Sequence, residues 1–191
     1  MKKKDLLLDV DEVICFSGYL EAVNDFLNTN YNIDDFDCYY IDEKVIPKER
    51  FKEFNEYVSK RNLYDYTSFL PGLNEKYEIY ICSACLNTFD LDNSGIQFKN
   101  KYDFLRKNLP FINPQKFILT SSKNMVKADI QIDDYLPNFD NDTKLKILFP
   151  SYHNKNIDDE ILKEKNIIRA GYDWKTGWQE ISKILLKNEN N

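Results

Sequence analysis

Two pairs of aspartates stand where apolar stretches of this sequence end. Asp9 and Asp11 follow the run DLLL, and Asp133 and Asp134 close the run DIQIDD. Residues i and i+2 of a strand point to the same side, so the carboxylates of Asp9 and Asp11 can project together. Carboxylates held that close repel one another, and hard oxygen ligands of this kind favour Mg²⁺. One such Asp alone is better explained as a helix or turn cap; the repetition at two strand ends favours a metal site.

The elements that must position these aspartates are six short apolar runs separated by stretches of helical length. The runs are 5–10, 77–84, 116–120, 129–133, 146–149 and 166–170. Such alternation predicts an α/β fold with a Rossmann-like, doubly wound, mostly parallel sheet. Ligands of such sheets bind beyond the carboxyl ends of the strands. Both aspartate pairs, Ser83 and Lys123 are expected there.

The interval 18–69 interrupts this alternation, because it contains no convincing core strand. Its end is marked by the turn signal Leu70-Pro71-Gly72. We therefore expect a small helical cap at 18–69, inserted into one α/β core formed by 1–17 and 70–191. Helical spacing of apolar residues supports the helices: Leu20, Val23, Phe26 and Leu27, then Phe51, Phe54 and Val58.

Aromatic side chains of the cap region offer a stacking surface to a nucleotide base, although most are expected to be ordinary packing residues. They are Phe16 at its entrance, Phe36, Tyr39, Tyr40, Tyr64 and Tyr66. At the other end of the chain, the stretch 172–186 predicts a closing amphipathic helix, with Trp178, Ile181 and Leu185 on one face.

Composition narrows the range of functions. The 191 residues include 32 acidic and 26 basic ones, for a formal net charge of −6, which argues against binding long nucleic acid through its phosphates. Acidic residues interrupt the apolar run near the start, so we expect neither a signal peptide nor a membrane segment. We therefore expect a cytoplasmic protein. Its four cysteines are then expected to be free thiols.

Taken in chain order, these residues resemble a known superfamily. Asp9-Val10-Asp11, Ser83 after EIYIC, Lys123 in LTSSKNMV and Asp133-Asp134 are similar to the four motifs of the haloacid dehalogenase-like (HAD) phosphatases. More narrowly, four features resemble the 5'(3')-deoxyribonucleotidases, which remove phosphate from deoxynucleoside monophosphates with Mg²⁺ and a small helical cap. These features are KNMVKADIQIDD, FLPG at 69–72, His153-Asn154 and the tail DWKTGWQEI.

The resemblance implies a role for each catalytic position. Asp9 would be the nucleophile that forms an aspartyl-phosphate, and Asp11 would be the general acid and then the general base. Lys123 would neutralise the nucleophile and the phosphate, and the Ser83 hydroxyl would hydrogen-bond a phosphoryl oxygen.

The resemblance also implies a HAD-like core, a metal site and a substrate. Mg²⁺ would be held by the Asp9 carboxylate, the Asp11 backbone carbonyl and one carboxylate of the Asp133-Asp134 pair. The resemblance does not decide which of these two carboxylates binds the metal. The substrate would be a small nucleoside monophosphate, with Phe16 and Ala84 beside it. A homodimer stays open.

Three positions depart from the family pattern. Glu12 stands where many members have Gly, Ala84 where the deoxyribonucleotidases often have a hydroxyl residue, and Ser121 where they can have a basic residue. These departures bear on substrate preference and rate more than on reaction class. His153, the one histidine of the sequence, is not included among the catalytic residues.

Other functions stay open beside this one. One alternative is a phosphatase that uses the same reaction on another small phosphate or on a nucleic-acid end. Another is a catalytically weak module that binds a nucleotide at this site. Cys82 and Cys85 form a CxxC motif, which in other contexts indicates thiol redox chemistry. It overlaps Ser83, which the phosphatase interpretation already explains.

Overall fold

The computed structural model describes residues 2–15, 19–32, 35–36, 41–58, 65–85, 91 and 94–189. The described residues form the strands β1 (Asp5–Leu8), β2 (Glu78–Ser83), β3 (Phe117–Leu119), β4 (Ile130–Asp133), β5 (Leu145–Leu148) and β6 (Ile167–Arg169). These six strands make one sheet in the order β3-β2-β1-β4-β5-β6, and every neighbouring pair is parallel. The predicted α/β class and parallel sheet are confirmed.

The described helices connect and cover these strands. They are α1 (Tyr19–Leu27), α2 (Ile41–Val45), α3 (Phe51–Val58), α4 (Leu70–Lys76), α5 (Ser94–Asn108), α6 (Asp159–Glu164) and α7 (Trp174–Glu189). None of the helices in the described part of the chain combines the length and the apolar character needed to cross a membrane.

The polar residues gather at the carboxyl end of β1 and of the strands on either side of it. Leu8, the last residue of β1, is in register with Ile81 of β2 on one side and with Ile132 of β4 on the other. The N–H of Asp9 then donates to the Ile132 carbonyl at 3.0 Å, which extends the pairing by one residue. The carboxyl ends of β1, β2 and β4 therefore deliver their next side chains to the same place.

Helix α7 packs on the core and contacts the loop that follows β1. Trp178, Ile181 and Leu185 of α7 are all buried in the main core, as the sequence pattern predicts. The indole N–H of Trp178 donates to the Val13 carbonyl at 2.9 Å. Because Val13 lies in the loop after β1, α7 fixes the chain that carries the first aspartate pair.

Helices α1 to α3 form a second, smaller apolar cluster, which we call the helical cluster. Its buried members are Val23, Ile41, Ile46, Phe51 and Phe54. Tyr152, in the loop after β5, packs against it, so the helical cluster lies on the carboxyl-end side of the sheet. A helical region between β1 and β2 agrees with the sequence pattern, and the cap boundaries at 18–69 stay a prediction.

Candidate functional site

The loop after β1 is folded tightly over the sheet edge. The N–H groups of Ile14 and Cys15 donate to the Val10 carbonyl at 3.0 and 2.9 Å, and Glu12 donates to the Cys15 carbonyl at 2.9 Å. Glu12 has a φ of 60°, in the left-handed region that costs a side-chain-bearing residue about 1–2 kcal/mol. This geometry is one that glycine, the residue that the resemblance implies here, would adopt without that cost.

Three carboxylates meet beyond the strand ends. Asp9, Asp133 and Asp134 are 3%, 2% and 0% exposed, and one oxygen from each lies within 4.8 Å of the others. Burial raises the pKa of all three, and for Asp9 the pKa reaches about 7. A buried acidic set of this kind fits Mg²⁺.

The two members of the second pair have different partners. Asp133 Oδ1 accepts from the Tyr135 N–H and from Asn138 Nδ2, at 3.0 and 2.8 Å, and its Oδ2 accepts from Lys123 at 3.0 Å. Asp134 Oδ1 is buried, and no donor reaches it among the described residues. A cation would satisfy Asp134 Oδ1, whereas Asp133 is already satisfied by the protein.

Lys123 lies among these acids. Its Nζ is 2.6 Å from Asp9 Oδ1 and 3.0 Å from Asp133 Oδ2, and the side chain is 3% exposed. Burial opposes its charge, but the carboxylates of Asp133 and Asp9 outweigh that effect and raise the pKa of Lys123. One permanent cation among three carboxylates leaves an excess of negative charge, which a divalent ion would offset.

Asp11 occupies the more open side of the site. Its side chain is 26% exposed, and its Oδ2 accepts from Ser83 Oγ at 3.2 Å. The same oxygen lies 2.5 Å from Nζ of Lys101, a residue of α5. Sequence analysis does not identify Lys101, since a lysine in the polar stretch KNKYD is typical of an exposed helix surface.

His153 contacts Asp134, the second member of the Asp133-Asp134 pair. Its Nε2 lies 2.7 Å from Asp134 Oδ2, and Asn154 Nδ2 donates to the Asp134 carbonyl at 2.8 Å. Burial lowers the pKa of His153 to about 4, so the ring is neutral near pH 7. The resemblance had singled out this His-Asn pair, and the geometry gives it a reason: both residues orient Asp134.

The CxxC motif lies beside the site, next to Ser83. Cys15, Cys82 and Cys85 are buried, and burial raises the pKa of the Cys82 thiol to about 12. Thiol redox chemistry needs an accessible thiolate, so this geometry disfavours it. Cys38 lies outside the described residues.

The structure brings six of the predicted side chains to one sheet edge. They are Asp9, Asp11, Ser83, Lys123, Asp133 and Asp134. Ala84 follows Ser83 and is exposed, and Ser121 is exposed as well. Phe16, Tyr39, Tyr40 and Tyr64 lie outside the described residues, so their roles stay predictions, as do the roles of the site residues.

Comparison with known proteins gives a consistent result. The chain is 28% identical over 193 residues to a 5'(3')-deoxyribonucleotidase of Bacillus subtilis strain 168, covering 96% of this chain and 99% of the relative. The same figures hold for a 5'(3')-deoxyribonucleotidase of Bacillus phage SPbeta. A solved HAD-hydrolase of Bacillus subtilis, bound to magnesium, is 14% identical, covers 87% of this chain and 100% of that chain, and has a TM-score of 0.45, too loose a likeness to bear on the site.

The family comparison covers nearly the whole chain. Residues 3–187 match the model of the family described as 5' nucleotidase, deoxy (pyrimidine), cytosolic type C. The chain accordingly belongs to this deoxy-type 5' nucleotidase family and is a phosphatase that acts on phosphomonoesters.

Proposed function

We propose that this protein is a Mg²⁺-dependent phosphatase that removes phosphate from deoxynucleoside monophosphates through an aspartyl-phosphate on Asp9. The observation that carries the proposal is the buried group of Asp9, Asp133 and Asp134 around Lys123. Such a group is costly for folding, and it is explained by a reaction that needs a metal and a fixed nucleophile in one place. The names of the relatives support the substrate class.

The metal would be held by Asp9 and Asp134, together with the Asp11 backbone carbonyl. Asp134 is chosen over Asp133 because Asp134 Oδ1 is buried without a donor among the described residues, whereas Asp133 accepts from Tyr135, Asn138 and Lys123. When bound, the ion would offset the charge of the phosphate and of the carboxylates. The remaining steps belong to residues of the chain.

In the first half of the reaction, the Asp9 carboxylate attacks phosphorus, and the bond from phosphorus to the ester oxygen breaks. Asp11 gives its proton to the leaving oxygen of the deoxynucleoside. Lys123, 2.6 Å from Asp9 Oδ1, holds the nucleophile in position. Ser83 Oγ, which donates to Asp11 Oδ2 at 3.2 Å, would hydrogen-bond a phosphoryl oxygen.

In the second half, Asp11 takes a proton from water, and that water attacks phosphorus. The bond from phosphorus to Asp9 breaks, which releases inorganic phosphate and restores both carboxyl groups. Asp11 can serve in both halves because the proton it loses in the first is returned in the second. Its side chain is 26% exposed, so solvent can reach it.

The test is phosphate release from a panel of 5'- and 3'-deoxynucleoside monophosphates, ribonucleotides and sugar phosphates. We expect Asp9→Asn to lose at least about 10³-fold in kcat, since an amide is a very poor nucleophile. Asp103→Asn is the matched control, because it makes the same chemical change at a side chain of α5 that is 57% exposed. EDTA should stop release, and Mg²⁺ in excess should restore it.

The outcomes separate the alternatives. Highest kcat/KM on deoxynucleoside monophosphates supports the proposed substrate class, and highest kcat/KM on another phosphate would replace it with a different phosphomonoester. Nucleotide binding without phosphate release in the unmodified protein would indicate a binding module. Release that survives in Asp9→Asn would refute the nucleophile.

A further inference from the structure

A buried arginine at the end of β6 contacts the loop that carries His153 and Asn154. The side chain of Arg169 is 7% exposed, and its Nη1 and Nη2 donate to the backbone carbonyls of Asn154 and Ile157 at 3.2 and 2.6 Å. Its Nε donates to Asp159 Oδ1 at 2.7 Å. All three nitrogens of the guanidinium are therefore engaged, and two of them bind the main chain of one loop.

The ion pair with Asp159 does not account for the burial of Arg169. Asp159 is 61% exposed, and an ion pair with an exposed carboxylate adds little to stability. The contacts with the two carbonyls are more specific, because only a planar guanidinium presents several donors in a fixed fork. The feature that needs an explanation is therefore the contact between Arg169 and the backbone of 154–157.

Asn154 links this contact to the proposed metal site. Asn154 is 1% exposed, and its Nδ2 donates to the backbone carbonyls of Asp134 and Phe149 at 2.8 and 2.7 Å. Its Oδ1 accepts from the Ser151 N–H at 3.1 Å. Arg169 thus holds the main chain of a residue whose side chain is bonded to the segment that carries Asp134.

Arg169 lies in the same row of the sheet as the buried acids, but at a distance from them. Leu148 of β5 is in register with Asp133 of β4 on one side and with Arg169 of β6 on the other. Two strand spacings separate the backbones of Asp133 and Arg169 by about 10 Å. The contacts of Arg169 therefore reach Asp134 through the loop 151–157, which also carries His153.

We propose that Arg169 is a positioning residue of the metal site, because it holds the loop 151–157 where His153 and Asn154 orient Asp134. This inference rests on the proposed function for its metal, and it deepens that function by assigning a role to a residue outside the four motifs. A ligating carboxylate binds a cation best when outer partners fix its orientation. Without Arg169, the loop is less restrained, and both contacts to Asp134 loosen together.

The experiment measures the Kd of Mg²⁺ by calorimetry without substrate, so it does not depend on turnover. We expect Arg169→Met to raise this Kd by about 10-fold, the effect typical of losing an outer partner of a ligating carboxylate. Arg169→Lys keeps the charge but lacks the fork that binds two carbonyls, so its Kd should lie between the other two. Arg106→Met, the same change at an exposed residue of α5, should leave the Kd unaltered.

A second pair of variants tests the route through the loop. In a His153→Leu background, one of the two contacts that Arg169 supports is already lost. Arg169→Met should therefore raise the Kd of Mg²⁺ by a clearly smaller factor in that background than in the unmodified protein. Equal factors in the two backgrounds would show that Arg169 acts independently of His153, and they would overturn the proposal.

Urea titration separates positioning from a purely structural role. A lower free energy of unfolding in Arg169→Met together with an unchanged Kd of Mg²⁺ would overturn the proposal, because the arginine would then serve stability alone. Should Arg169→Met fail to show a cooperative transition, the same comparisons are made with Arg169→Lys. The expected rise in Kd is then about 3-fold, and an unchanged Kd overturns the proposal in the same way.

The inference and the proposed function can fail separately. A raised Kd of Mg²⁺ in Arg169→Met, in a protein that hydrolyses no deoxynucleotide, would keep the positioning role and refute the substrate. Mg²⁺-dependent hydrolysis with an unchanged Kd in Arg169→Met would keep the function and refute the role of Arg169. Absence of Mg²⁺ binding to the unmodified protein would overturn both.

Discussion

At the scale of single residues, Asp133 at the end of β4 and Asp134 directly after it have different partners although they are neighbours. Asp133 is bound by protein donors on both oxygens, whereas Asp134 presents a buried oxygen and is oriented by His153 and Asn154. The sequence could predict the pair but not this division, because the deciding contacts come from 138, 153 and 154, which approach only in the fold.

The contact between His153 and Asp134 leads to a prediction about metal affinity. We expect His153→Leu to weaken Mg²⁺ binding by about 10–100-fold, because the carboxylate loses the partner that fixes its orientation. His153→Gln, which can keep an N–H donor near Asp134 Oδ2, should lose less. The measurement is the Kd of Mg²⁺ by calorimetry, and equal Kd values for the two variants would contradict an orienting role.

At the scale of elements, short apolar runs were enough to predict the six strands, because strands of this parallel sheet such as β1, β4 and β5 are buried on both faces. Helical spacing of apolar residues was enough to predict α7. It could not predict Lys101, because a lysine on a helix looks the same in sequence whether solvent or a carboxylate lies beyond it. Nor could it show that Glu12 adopts φ 60°, a backbone conformation imposed by the hydrogen bonds of the loop after β1.

The packing of α7 on the sheet edge gives a prediction about Gly177. A Cβ at this position would lie 2.8 Å from Cε2 of Phe149 and 3.0 Å from Cδ of Pro150, and Phe149 is fully buried. Gly→Ala inside a helix normally gains about 1 kcal/mol. Here we expect Gly177→Ala to lower the free energy of unfolding by about 1 kcal/mol, because overpacking at about 1–3 kcal/mol outweighs that gain.

Gly95 in α5 provides the matched control, since a Cβ there would meet nothing within 4 Å. Gly95→Ala should keep or raise the free energy of unfolding. The free energy of unfolding of both variants is measured by urea titration, and the comparison requires that their m values agree. A Gly177→Ala variant as stable as Gly95→Ala would show that Phe149 and Pro150 can give way, and that α7 does not need its glycine.

At the scale of the whole molecule, the buried acids couple stability to pH and to metal. Burial raises the pKa of Asp9 to about 7, so the folded protein without metal holds a proton that the unfolded chain releases near pH 4. As pH rises from about 4 to 7, this carboxyl group therefore makes the metal-free fold less stable. Under the proposed function, Mg²⁺ would need the ionised carboxylate and would reverse the effect, so it would have to displace the proton at lower pH.

We therefore expect Mg²⁺ to raise Tm more at pH 8 than at pH 6, with an affinity about tenfold weaker at pH 6, one unit below the pKa of Asp9. His153, with its pKa lowered to about 4, also makes stability depend on pH, but it does so with and without Mg²⁺ and largely cancels from the difference. Matched ionic strength in NaCl controls for screening. Asp9→Asn should lose the part of this pH dependence that comes from Asp9, so the difference between the rises at the two pH values should shrink; Asp134, whose pKa burial also raises, keeps a remainder. Equal rises in the unmodified protein would mean that Asp9 is already ionised at pH 6, and that Lys123 alone offsets its charge.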